Sequence, residues 1–108
     1  MSLQLTESIS TYFAASNGID TARITDSFTP DAVVFDEGSI HRGHTAIQAW
    51  LQEARTKSEY RVEPTSTSVE KDRVTVLAKV SGNFPGSPIQ LRHSFQLKDS
   101  KIQSLEIQ

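Results

Sequence analysis

The sequence predicts an α+β domain in which three N-terminal helices pack on a curved antiparallel sheet. Two observations carry this. Apolar residues recur at spacings of three and four up to about Thr56, and at spacings of two after Arg73. Turn residues such as Asn17-Gly18, Glu37-Gly38 and Asp99-Ser100 separate the segments. Helices grouped on one side of such a sheet give an α+β architecture. A strongly wrapped sheet leaves a cone-shaped cavity.

Leu5, Ile9, Tyr12, Phe13 and Ser16 lie on one face of a helix from about Leu3 to Ser16. Asn17-Gly18 stops it, both residues tolerating left-handed backbone. Asp20 is placed to cap a second helix, with Ile19, Ala22, Ile24 and Phe28 inward. Pro30 ends that helix, because the residue before proline avoids helical geometry.

Ala32-Val33-Val34-Phe35-Asp36 is β-branched and aromatic, and reads as a strand. A turn at Glu37-Gly38-Ser39 leads to a short return strand, Ile40-His41-Arg42. Gly43 breaks it. A third helix follows from about His44 to Thr56. Ile47, Trp50, Leu51 and Ala54 form its inner stripe, and Gln48, Gln52, Glu53 and Arg55 face out.

Four strands then form a meander. Tyr60 to Val69 is polar, with Pro64 suiting an edge or a bulge. Arg73 to Gly82 places Val74, Val76, Ala78 and Val80 on one face. Ile89, Leu91, His93, Phe95 and Leu97 share a face of the next strand, and Lys101 to Ile107 is the last.

The chain is one domain of 108 residues. Its hydrophobic fraction of 36% is low, so a pocket or subunit interface is a natural place for further burial. Net charge is −2 with no basic run, which argues against nucleic acid and anionic membrane as partners. Cysteine is absent, which removes disulfides, thiolate catalysis and zinc-thiolate sites. A cysteine-free chain with no apolar leader or membrane-length run fits a cytoplasmic protein.

The element order resembles the NTF2-like superfamily in its SnoaL-like branch. The resemblance rests on a helical aromatic, then Pro-Asp-Ala-Val-Val-Phe-Asp at 30 to 36, His41-Arg42-Gly43, and Ile47 to Trp50. The spacing of Tyr12 and Asp36 is similar to that of the oxyanion-hole tyrosine and catalytic aspartate in the ketosteroid isomerase branch. That branch has a second aspartate, but Ile89 to Leu97 holds no carboxylate. His93 or Ser94 could stand there as a donor. The resemblance implies a pocket for a small apolar molecule, and a homodimer through the outer face of the sheet. Thr75, Leu77, Gln90, Arg92, Ser94 and Gln96 would form part of that interface.

Each candidate has two readings. Asp36 is a general base if it points into a dry cavity, or the residue that opens the Glu37-Gly38 turn. Tyr12 stabilises an oxyanion if its phenol faces the pocket, or is a core tyrosine with Phe13 as the inward ring. His93 is an acid–base candidate, or a hydrogen-bonded core histidine. Phe13, Phe28, Phe35, Trp50 and Phe95 line an apolar pocket or simply fill the core. His41 belongs at the pocket rim and His44 is expected to be exposed. Their spacing suggests a metal pair, but Gly43 separates them and no third ligand follows. Arg42, Arg61 and Arg92 could pair with Asp36 or an acidic ligand, or stay solvated.

Taken with the resemblance, these residues imply a cofactor-independent isomerase, cyclase or dehydratase that uses an Asp general base on a small apolar carbonyl compound, with no metal. The alternative is a non-catalytic ligand-binding or dimerisation module.

Overall fold

The computed structural model describes residues 5–57 and 59–108. Helix α1 spans Glu7–Ser16, with Thr6 at its N-cap accepting the backbone N–H of Ile9 at 3.4 Å. The expected start at Leu3 lies outside the described residues. A 3-10 turn at Thr21–Arg23 leads into a four-residue helix α2, Ile24–Ser27. Six strands and one long helix follow: β1 (Phe28–Asp36), β2 (Ser39–Arg42), α3 (Gly43–Lys57), β3 (Tyr60–Glu70), β4 (Arg73–Gly82), β5 (Ile89–Lys98) and β6 (Lys101–Ile107).

The strands form one curved, unclosed sheet in the order β2-β1-β6-β5-β4-β3. The meander β3-β4-β5-β6 is antiparallel throughout. The sheet as a whole is mixed, because β1 pairs parallel to β6. That pairing joins segments far apart in the chain, and local patterning does not report it. Register shifts between Pro64 and Ser66 and between Gln96 and Leu97 bend the strands. Pro64 sits at one of these shifts, on edge strand β3. The turns Glu37-Gly38 and Asp99-Ser100 have positive φ at both central residues, which matches the right-handed twist of tight hairpins.

The second helix differs from the sequence expectation. Asp20 adopts left-handed backbone (φ 50°) and makes no side-chain capping bond. Strand β1 begins at Phe28, before Pro30, because Phe28 pairs with Ile102 of β6. Pro30 falls within the register break between Phe28 and Val33, where its missing N–H removes no ladder bond.

The core lies between the helices and the concave face. Ile9, Tyr12 and Phe13 of α1 and Ile47 and Leu51 of α3 meet Ala32, Val34, Val76, Ala78, Phe95, Ile102 and Leu105 of the sheet. On the convex face, Arg73 pairs with Gln96, Thr75 with Ser94, Leu77 with Arg92 and Lys79 with Gln90.

Asn17 does more than end α1. Its φ is −92°, and Gly18 takes the left-handed position instead. The Asn17 side-chain amide donates to Val62 O at 2.9 Å, and its oxygen accepts Val62 N–H at 2.7 Å. It thus occupies backbone groups of an edge strand that would otherwise lack partners. Arg55 also departs from its expected outward position. Its Nη1 donates to Ser16 O (2.9 Å) and Tyr60 O (3.1 Å), and the guanidinium lies 5.0 Å from the Tyr60 ring centre.

Candidate functional site

A cavity of about 540 Å³ opens between α1, α3 and the concave face of the sheet. Tyr12 and Ser16 reach it from α1, and Trp50, Glu53, Ala54 and Lys57 from α3. Asp36, His41, Tyr60, Leu91 and His93 enter from the strands, and Phe84 from the β4–β5 loop.

Strand alternation explains how β1 supplies its acid. Ala32 and Val34 are buried in the core, so Asp36 points to the same concave side. Its carboxylate is half-buried and accepts the Trp50 indole N–H on Oδ2 at 3.1 Å. Among the described residues no cation forms an ion pair with Asp36. Arg42, Arg61 and Arg92 do not reach it.

Tyr12 faces the cavity, yet is only 2% exposed. Burial pushes its phenol well above the usual tyrosine range, opposed by the Ser16 hydroxyl and reinforced by the charges of Tyr60 and Asp36. The group therefore stays a neutral O–H donor. Its ring is parallel to Trp50, at 5° and 6.5 Å between centres. His93 on β5 is 3% exposed and packs against Tyr12 (6.2 Å) and Phe13 (5.3 Å). Burial lowers its pKa to about 4, with the Leu91 backbone opposing in part. Among the described residues its Nδ1 nonetheless finds no hydrogen bond of ordinary geometry.

Asp36, Tyr12, His93, Trp50 and His41 are thus brought together, with His41 tilted against Trp50 at 5.8 Å. Phe13, Phe28, Phe35 and Phe95, expected as cavity walls, do not line it. Phe13, Phe28 and Phe95 are buried behind it, Phe13 and Phe95 edge-on to Tyr12 and to each other. Phe35 lies on the opposite face of β1 from Asp36 and is 38% exposed, because adjacent strand residues alternate. His44 is half-buried rather than exposed, its Nε2–H donating to Phe28 O at 2.9 Å. It anchors α3 and stands apart from His41.

Sequence reasoning missed Tyr60, Phe84 and the rim. Tyr60 heads a strand read as polar, although its alternation with the buried Val62 marks the concave face. At the rim, Glu53 and Lys57 form an exposed ion pair at 2.8 Å beside Glu37.

A second, larger depression is a polar surface groove between the N-terminus of α1 and the β5–β6 turn, lined by Glu7, Arg23, Asp26, Lys98 and Lys101 among others. It brings together no comparable set of buried groups.

The chain matches solved structures over nearly its full length. It is 45% identical to a candidate polyketide cyclase from Sinorhizobium meliloti, covering 96% of this chain and 95% of that one, with TM-score 0.92. A protein of ketosteroid isomerase-like fold from Catenulispora acidiphila, in complex with trimethylamine, superimposes with TM-score 0.84 at 20% identity, covering 97% and 86%. The epoxide hydrolase/cyclase-like enzyme SalBIII of salinomycin pyran-ring formation gives TM-score 0.77 at 22% identity, covering 94% and 86%. None of the curated proteins matches it. Residues 9–105 match the SnoaL-like domain, which takes in both α1 and β6. The chain belongs to the SnoaL-like family, on the NTF2-like fold.

Proposed function

We propose that this protein is a cofactor-independent isomerase or cyclase in which Asp36 acts as general base on a small apolar carbonyl compound. The observation that carries the reading is Asp36 itself. It is a half-buried carboxylate on a cavity wall, with one oxygen held by Trp50 and no ion-pair partner among the described residues. The descriptions of the Sinorhizobium protein and SalBIII support a cyclase-type activity.

In this mechanism Oδ1 of Asp36 removes a proton from the carbon beside the carbonyl. The C–H electron pair becomes a C=C bond, and the carbonyl π pair moves to oxygen. The Tyr12 O–H donates to that developing oxyanion in a water-poor wall, where a fixed donor is most effective. In a compound with a C=C bond next to that carbon, the oxyanion pair then re-forms C=O, the double bond shifts one place toward the carbonyl, and the far alkene carbon takes the proton back from Asp36, which completes an isomerisation. General-base catalysis of this kind contributes roughly 10²–10⁴-fold.

The test is deuterium uptake. A panel of cyclic ketones in D2O is followed by NMR with the wild-type protein and with Asp36→Asn. Exchange above buffer that disappears in Asp36→Asn supports the reading. Equal exchange in both proteins, or none above buffer, rejects it.

A second reading is a non-catalytic ligand-binding module. The Catenulispora protein of this fold, which is described in complex with trimethylamine, supports it. In that case Asp36→Asn changes affinity and no compound is turned over.

The convex face, with Thr75, Leu77, Gln90, Arg92, Ser94 and Gln96, is our proposed homodimer interface. Its mixture of apolar and polar side chains suits such a contact. Analytical ultracentrifugation showing a monomer at high concentration rejects it.

A further inference from the structure

Asn17-Gly18 closes α1, and an asparagine followed by glycine is also the pair at which a side-chain amide is most readily lost. The reaction is intramolecular. The backbone nitrogen of Gly18 attacks Cγ of Asn17, and the Cγ–Nδ2 bond breaks. The side-chain nitrogen takes up the Gly18 amide proton and leaves as ammonia. Water then opens the cyclic imide at either carbonyl, giving aspartate or its isomer linked through Cγ. Glycine eases the attack because it has no Cβ to shield its nitrogen and its backbone turns freely.

The fold restrains every group involved. Nδ2 of Asn17 donates to Val62 O at 2.9 Å, and Oδ1 accepts the Val62 N–H at 2.7 Å, so the side chain is drawn toward β3. The Gly18 N–H is spent on Ala15 O at 2.9 Å. These bonds must open before the nitrogen can reach Cγ. They lie at a helix end and against an edge strand, beside an exposed Gly18. Such places open locally at far lower cost than the core.

The neighbours also decide what the product does. A carboxylate at position 17 has no N–H to give Val62 O. It would instead set a negative oxygen against that carbonyl oxygen, and the two repel. The Val62 end of β3 would then lose the clamp that occupies its edge.

We propose that Asn17 is a site of spontaneous deamidation, gated by local opening of the corner between α1 and β3, and that the product releases β3 at Val62. The inference is independent of what occupies the cavity.

Asn83 is the chain's only other asparagine and precedes Phe84, whose side chain shields the attacking nitrogen, so it serves as an internal reference. Samples of the protein are kept at mildly alkaline pH, folded in buffer and unfolded in concentrated urea. Peptide mapping by mass spectrometry follows aspartate and isoaspartate at both positions. Asn17 is expected to convert about tenfold more slowly in the folded sample than in urea, the worth of the hydrogen bonds that must open. It should still outpace Asn83 in the folded sample. The deamidated fraction, separated by ion exchange, should melt about 4–8 °C below the unmodified protein. Equal rates at Asn17 with and without urea overturn the gate. Conversion no faster at Asn17 than at Asn83 in the folded protein overturns the site. A deamidated fraction that melts with the unmodified protein overturns the link to β3.

Discussion

The indole N–H of Trp50 donates to Oδ2 of Asp36 at 3.1 Å, tying the end of β1 to the middle of α3. The bond makes the two carboxylate oxygens unequal. Oδ2 is occupied, and Oδ1 is left for a ligand. Trp50 is therefore a positioning residue for the proposed base, acting through geometry.

Trp50→Phe keeps an aromatic wall and removes the donor. We expect ligand-dependent proton exchange to fall roughly tenfold, with a stability loss of about 1 kcal/mol. Exchange kinetics and urea unfolding of the same preparation separate the two effects. A loss confined to kcat, with KM unchanged, marks lost positioning of the base. Unaltered exchange would show that the bond does not serve the chemistry.

Stability should depend on pH through His93. In the unfolded chain it titrates near 6.5, and in the fold at about 4. Between these values the unfolded chain binds a proton that the native state refuses. The contribution is therefore complete above pH ~6.5 and is lost as pH falls toward ~4, to a total of about 3 kcal/mol. Urea midpoints collected from pH 7 to pH 4 measure this, and His93→Gln should flatten that part of the curve.

Asn17→Ala should destabilise the fold out of proportion to its position at a helix end. It removes both hydrogen bonds to Val62 and exposes part of the β3 edge. A loss of about 1–2 kcal/mol is expected, with Tm lower by roughly 4–8 °C for each kcal/mol in a domain near this size. Calorimetry checks it. A Tm unchanged from wild type would mean that water replaces the amide at no cost.

Gly82→Ala should disturb the cavity wall at a distance. A methyl group there would collide with the backbone of Glu59 and Tyr60, because Gly82 pairs with Tyr60 across β3 and β4. We expect a loss of about 1–3 kcal/mol, the usual penalty for overpacking, together with weaker ligand binding as Tyr60 shifts. Thermal unfolding and Trp50 fluorescence titration report the two consequences separately.

Much of the architecture was legible in the sequence because periodicity is a local property. The spacing of Ile47, Trp50 and Leu51 marks α3, and the alternation of Val74, Val76, Ala78 and Val80 marks the buried face of β4. Alternation also placed His93 with Phe95 on the concave side, and the same rule applied from Ala32 and Val34 separates inward Asp36 from outward Phe35. Tertiary contacts decided the rest. Pairing of Phe28 with Ile102 turned the end of an expected helix into strand, since partners so far apart in the chain leave no mark on local pattern. The carboxylate of Asp36 found Trp50, and the side chain of His44 found Phe28 O, because hydrogen bonds depend on where folded elements bring individual atoms. Residue types and their spacing determined the elements and their faces. Only the packing of α1 and α3 into the curved sheet determined which side chains share a cavity.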